Sequence, residues 1–150
     1  MKLKSFTVQK YRSIIAAKKI PTGKTTILVG PNNEGKSNIL RALVTAMNIL
    51  TRERYARGAT GRVREALHSR RTYDWDTDFP VALQEQQPRG ETIVILEFEL
   101  TTAELDEFRS KIGSRLSGTL PLQVAVGPRG YKVTVHKQGR GSAALSSVLS

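Results

Sequence analysis

Apolar and polar residues alternate from Lys2 to Lys10, with Leu3, Phe6 and Val8 as the main apolar members, and this period of two predicts a strand. Tyr11-Arg12-Ser13 reads as a bend, after which Ile14 to Ile20 carries a second, more basic strand. Pro21-Thr22-Gly23-Lys24 places Pro and Gly where a tight turn favours them. Thr25 to Val29 is a short β-branched and apolar run, the pattern of a buried strand. From Asn38 to Leu50 the apolar residues Ile39, Leu40, Leu43, Val44, Met47 and Leu50 fall nearly all round a helix, which predicts deep packing against a sheet. Thr92 to Leu100 alternates again, with Val94, Leu96, Phe98 and Leu100 on one face and Glu97 and Glu99 on the other. Thr101-Thr102-Ala103-Glu104 fits a capping box that opens a helix to about Ile112, closed by Gly113. Leu122–Val126 and Tyr131–Lys137 flank Gly127-Pro128-Arg129-Gly130, a hairpin turn.

Composition narrows the class. A chain of 150 residues fits one domain able to bury a sizeable core. Its 24 Lys+Arg against 13 Asp+Glu leave a net charge of +11, which favours anionic partners, nucleic acid among them. The absence of cysteine excludes disulfides and thiolate metal sites. No apolar run approaches the ~20 residues of a membrane span. Met1-Lys2-Leu3-Lys4 leads into a polar strand rather than a signal-peptide core. A soluble, cytoplasmic protein with no membrane partner is the expectation.

The candidate chemistry lies between the apolar run and the helix. Gly30-Pro31-Asn32-Asn33-Glu34-Gly35-Lys36-Ser37 fits G-x-x-x-x-G-K-[ST] at every fixed position, and strand, glycine loop and helix follow in the order a phosphate-binding loop requires. Glycines at 30 and 35 let backbone N–H groups turn towards phosphate oxygens. Lys36 supplies a point charge for the β- and γ-phosphates, and the Ser37 hydroxyl suits Mg²⁺. The helix N-terminus adds partial positive charge where the anion sits. Asn32, Asn33 and Glu34 complete the loop; Asn33 is placed to set its geometry, and Asn38 opens the helix.

The residues around this loop carry a resemblance. Leu3-Lys4-Ser5-Phe6-Thr7-Val8-Gln9-Lys10-Tyr11-Arg12-Ser13-Ile14, followed by Ile27 to Leu43, closely resembles the N-terminus of ABC-type ATPase heads. These are the heads of the RecF, SMC (structural-maintenance-of-chromosomes) and OLD-like (overcoming lysogenization defect) AAA-family ATPases. The resemblance covers residues 1–50; Tyr73-Asp74-Trp75-Asp76-Thr77-Asp78-Phe79-Pro80 also looks like a segment of some OLD-like members. It implies an α/β fold, a P-loop NTPase of the ABC-type head, with this chain as its N-terminal half. A basic insertion and loop would occupy 51–90 and a small antiparallel β subdomain 91–137. It implies ATP and Mg²⁺ as cofactors and a homodimer whose heads sandwich the nucleotide. DNA would be the partner, in repair or in a nuclease-based anti-phage system. It further implies that Arg12 and Ser13 reach the nucleotide phosphates, although the residues alone equally allow a surface arginine in a turn.

A complete head of this kind also has a Walker B strand ending in Asp-Glu, a signature motif and a switch histidine, and none is found here. Ile93 to Leu96 comes nearest, but it runs on into Glu97-Phe98-Glu99. No catalytic residue is therefore assigned. The chain reads as the N-terminal part of a longer ATPase, hydrolysing ATP weakly or not at all alone; a small complete domain with a frayed tail is the other reading. Gln84, Gln86 and Gln87 are rival candidates for the glutamine that meets Mg²⁺ in such heads.

Arg52, Arg54, Arg57, Arg62, Arg64, Arg70 and Arg71 face only Glu53 and Glu65 within residues 51–72. Arginine forks suit phosphate oxygens, so the run reads as a nucleic-acid contact, or equally as a solvated basic face. Asp74, Asp76, Asp78 and Glu85 mimic a calcium loop, but Phe79 stands where that loop needs glycine; a loop anchored by Trp75 and Phe79 is the better reading. Glu97 and Glu99 read as the wet face of a strand rather than a metal pair. His68 and His136 have no second histidine nearby in sequence, and no hydrolase or metal arrangement is built from them. Two rival functions stand beside the ATPase: a basic nucleic-acid-binding module with a structural phosphate loop, and an ABC transporter ATPase fragment.

Overall fold

The alternating segments become neighbours in one antiparallel sheet. The computed structural model describes residues 1–26, 34–58, 72–112 and 118–136. Its elements are β1 (Lys2–Tyr11), β2 (Ile14–Pro21), α1 (Glu34–Gly58), the single turns α2 (Trp75–Asp78) and α3 (Val81–Gln84), β3 (Thr92–Glu99), α4 (Thr102–Ile112), β4 (Thr119–Gly127) and β5 (Gly130–Val135). The five strands lie in the order β2-β1-β3-β4-β5, every neighbouring pair antiparallel. The strands of residues 91–137 thus extend the sheet begun by β1 and β2.

Register follows from which face each side chain must bury. Val8 pairs with Val94 and Val94 with Val124, while Phe6 pairs with Leu96 and Leu96 with Leu122. These rows are buried, with Leu120, Val126 and Phe98 around them. α1 lies across them and buries Ala42, Ala46 and Ile49 in the same core. The two alanines have little side chain to hold the helix off the sheet. The sheet covers only this face: Leu40 and Val44 on the other side stay 53% and 57% exposed, so the all-round apolar pattern is not matched by all-round burial.

The predicted capping box forms. Thr101 N–H donates to Glu104 Oε2 at 3.0 Å, and Glu104 N–H donates to Thr101 Oγ1 at 3.3 Å. Glu104 also accepts from the N-terminal ammonium at 2.6 Å, and that bond, with the Thr101 backbone bond, holds its carboxyl below the usual carboxylate range.

Over residues 72–91 the chain is held by aromatic packing, as the Trp75 and Phe79 positions suggest. Their rings stack at 5.1 Å and 10°. Phe79 is fully buried, and Trp75 Nε1 donates to the Gly90 carbonyl at 2.8 Å. Gln84 supplies amide hydrogens to the Asp76 and Phe79 carbonyls at 2.9 and 3.1 Å. Gly90 backs onto the Phe79 ring so closely that a Cβ would lie 2.3 Å from Cζ and 2.8 Å from Cε2. A ring stacked on one side and buried all round has nowhere to move. Gly90→Ala is therefore expected to lower unfolding free energy by about 1–3 kcal/mol in urea titration, and wild-type stability would contradict this packing.

Candidate functional site

The turn joining β1 to β2 is Arg12-Ser13, closed by the pairing of Tyr11 with Ile14. Arg12 has φ +49°, a backbone region that non-glycine residues seldom adopt. Asp78 holds it there. Arg12 N–H donates to the Asp78 carbonyl at 2.6 Å, and its Nε and Nη2 both meet Asp78 Oδ1 at 2.9 Å. The other carboxylate oxygen accepts Asp74 N–H at 2.9 Å. Arg12 also lies over the Tyr11 ring, 5.6 Å from its centroid.

On its other side the turn is tied to α1. Asn38 is buried in the first turns of that helix, and its Nδ2 donates to Ser13 Oγ at 2.9 Å. The bend and the helix start enclose a cleft of about 500 Å³ lined by Arg12, Ser13, Ser37, Asn38, Arg41 and Thr77. Phe79 and Val81 form its apolar side. Gly35 and Lys36 precede Ser37 in the same turn, both half-buried.

The charges are set by these contacts. Burial alone would lower the Arg12 pKa, but the hydrogen bond and charge of Asp78 outweigh it and raise the value, so the guanidinium stays cationic. Burial, and then the charge of Asp78, push the Tyr11 phenol up. Tyr73 is pushed up to about 12, chiefly by burial. Its hydroxyl meets Thr92 Oγ1 at 2.6 Å, and Thr92 in turn donates to the Lys10 carbonyl at 2.5 Å. Among the described residues the buried polar side chains are Asn38, Asp78 and Thr92, and all three serve this region. None leaves a buried polar atom without a partner.

Arg12, Ser13, Ser37 and Asn38, picked from sequence, thus line one cleft. Gly30, Asn32, Asn33, the Glu34 side chain and residues 27–29 of the expected Thr25–Val29 strand lie outside the described residues. So do the side chains of Arg54 and Arg57, and all of Arg62, Arg64, Arg70, Arg71 and His68. Arg52 bonds to Thr72 Oγ1. Asp78, Arg41 and Thr77 are the residues that sequence reading missed. Arg41 sits four residues after Ser37, the spacing that puts both on one helix face, and this could have been read.

Three of the remaining candidates are engaged elsewhere. Glu97 accepts from Ser5 Oγ at 2.9 Å, and His136 Nδ1 meets Gln123 Oε1 at 3.0 Å. Gln87 accepts from Lys10 Nζ at 2.9 Å. Among the described residues no group of three His, Cys, Asp or Glu could hold a metal. A second hollow of about 340 Å³ at the β4–β5 turn is lined by Arg89, Arg129, Lys132 and Glu91, with Tyr131 beside them. Tyr131 donates to Glu53 Oε2 at 3.0 Å, which sets the C-terminal part of α1 beside β5.

Residues 1–111 match the AAA ATPase domain family. The chain belongs to that family. The matched segment runs from β1 nearly to the end of α4, so it contains every residue of the cleft. No curated protein matches the chain. Membership of the AAA ATPase domain family suggests nucleotide binding and ATPase activity, and the α/β arrangement fits a P-loop NTPase. No described helix is long and apolar enough to cross a membrane.

The Tyr73 network makes a prediction about alkaline stability. The ordinary phenol value is 10.0 and the folded value about 12. Between these the unfolded chain has released the proton that the folded chain retains, so stability present below pH 10 is lost as pH rises towards 12. Tyr73→Phe should flatten this part of the stability–pH curve in denaturant titrations. An unchanged slope would show that Tyr73 does not titrate there.

Proposed function

We propose that the protein binds ATP with Mg²⁺ through the Gly30–Ser37 loop, as the N-terminal half of an ABC-type head of the RecF, SMC and OLD-like group. The observation that carries this reading is the docking of the Tyr-Arg-Ser bend on the start of α1, through Asn38 and Ser13. Two segments matched to such heads by sequence alone meet in one cleft. The donor set suits a polyphosphate: a guanidinium, the hydroxyls of Ser13 and Ser37, and the positive end of a long helix. Lys36 and Arg12 would hold phosphate oxygens, and Ser37 would offer the hard oxygen that Mg²⁺ prefers. Bound Mg²⁺ would neutralise charge on the phosphates.

In the intact protein two such heads would sandwich the nucleotide, and its hydrolysis would drive a DNA transaction in the cytoplasm, such as repair or anti-phage defence. The +11 charge supports an extended anionic partner. So does the cluster of Arg89, Arg129 and Lys132 at the β4–β5 turn.

Calorimetric titration of Mg-ATP tests the reading. Saturable binding is expected, weakened roughly 10- to 100-fold in Lys36→Ala, the loss for removing a charged hydrogen-bond partner. DNA binding that ignores both ATP and Lys36→Ala, with no nucleotide affinity, would instead favour a nucleic-acid module with a structural loop.

A further inference from the structure

We propose that Asp78 is a positioning residue of the nucleotide site: it fixes the Arg12 guanidinium beside the first turn of α1 before any ligand arrives. The inference rests on the reading of that cleft as a nucleotide site. It concerns a residue that no phosphate-loop pattern contains, 66 positions from the arginine it holds.

Three features support it. The grip is double, because Asp78 takes both the backbone N–H of Arg12 and its Nε and Nη2 hydrogens. The carboxylate is itself immobile: its side chain is 7% exposed, its Oδ2 is held by Asp74 N–H, and its own N–H donates to the Asp74 carbonyl at 2.7 Å. Arg12 also lines the cleft, with 30% of its side chain exposed. Guanidinium carries five N–H donors in a rigid plane, so two can be fixed and others offered.

The obvious objection is that a carboxylate neutralises the cation it holds. Two observations weaken it. Oδ2 is hydrogen-bonded to backbone rather than to the arginine, which draws charge away from the pair. Arg41 also lines the cleft and keeps its wall net positive. What Asp78 supplies is order: an unrestrained arginine would have to give up its rotamer freedom when a phosphate bound. Held in advance, it loses little then.

The test is Mg-ATP calorimetry on the intact protein at two salt concentrations. It compares wild type, Lys36→Ala, Arg12→Gln, Asp78→Asn and the Arg12→Gln/Asp78→Asn double variant. Circular dichroism at the same temperature checks that each is folded. Asp78→Asn preserves the side-chain shape and the backbone bond to Arg12. Arg12→Gln and Asp78→Asn are each expected to weaken binding about tenfold. Arg12→Gln removes a positive charge and flattens the salt dependence, whereas Asp78→Asn removes a negative one; tighter binding in Asp78→Asn, strongest at low salt, means that the carboxylate only repels the ligand and overturns the proposal. The double variant should bind no worse than the weaker single one. For a residue that merely braced the loop the loss would multiply with that of Arg12→Gln, which overturns the proposal too. Should Asp78→Asn not fold, Asp78→Glu moves the carboxylate by one methylene, and wild-type affinity in that variant overturns it too. Affinity lost in Lys36→Ala but kept in Asp78→Asn removes the role of Asp78 alone. Wild type without Mg-ATP affinity removes the nucleotide reading as well.

Discussion

The contact between Arg12 and Asp78 is the constraint on which the local architecture depends. A carboxylate this buried is tolerated only with a charged partner and a full set of hydrogen bonds, and Asp78 has both. In return it holds a turn with an uncommon backbone angle. The order of dependence runs outward from there. The Trp75–Phe79 stack fixes the short helical turn, the turn presents the carboxylate, and the carboxylate fixes the bend. The bend then meets Asn38 at the head of α1. Removing Arg12 would leave a buried carboxylate uncompensated, which is far more costly than never having placed one there.

Much of the fold was legible because it rests on local periodicity. The alternation from Lys2 to Lys10 and from Thr92 to Leu100 places buried residues on one face as read, and the Thr101–Glu104 cap forms at the expected residues. The differences have local causes. α1 extends from Glu34 to Gly58 rather than from Asn38 to Leu50. Its extra C-terminal turns come from Arg, Glu and Ala, good helix formers that carry no apolar signal. β4 begins at Thr119, through Pro121, although proline argues against a strand paired on both sides. The conflict disappears in three dimensions, because β5 ends at Val135 opposite Leu122, just short of Pro121.

The site was legible only in part. Motif spacing picked out Ser37, the helix start picked out Asn38, and the resemblance to ATPase heads picked out Arg12 and Ser13; all four line the cleft. Asp78 could not be found this way, since its meaning depends on a partner distant in sequence. Read locally, Asp74, Asp76 and Asp78 are a repeat of acids. In the fold they separate: Asp78 is buried under Arg12, Asp74 accepts from Thr77 Oγ1 and Asp76 is exposed. Burial of one acid among three is a property of the packed chain, and no pattern along the sequence encodes it.

The pairing of β1 with β3 also sets the order in which the protein can assemble. Ser5 and Glu97, bonded across those strands, are 92 residues apart. The β1–β2 hairpin is local and can form within microseconds of its synthesis, but β1 has no second neighbour until β3 exists. At about 5–20 residues per second on a ribosome, that wait lasts roughly 4–20 seconds. Throughout it Phe6 and Val8 lack the strand that will cover them. Contacts of such long range slow folding, because the loop must close before they reward it. The cleft needs Asp78 as well as Arg12, so it cannot take its final shape before residue 78 has been made.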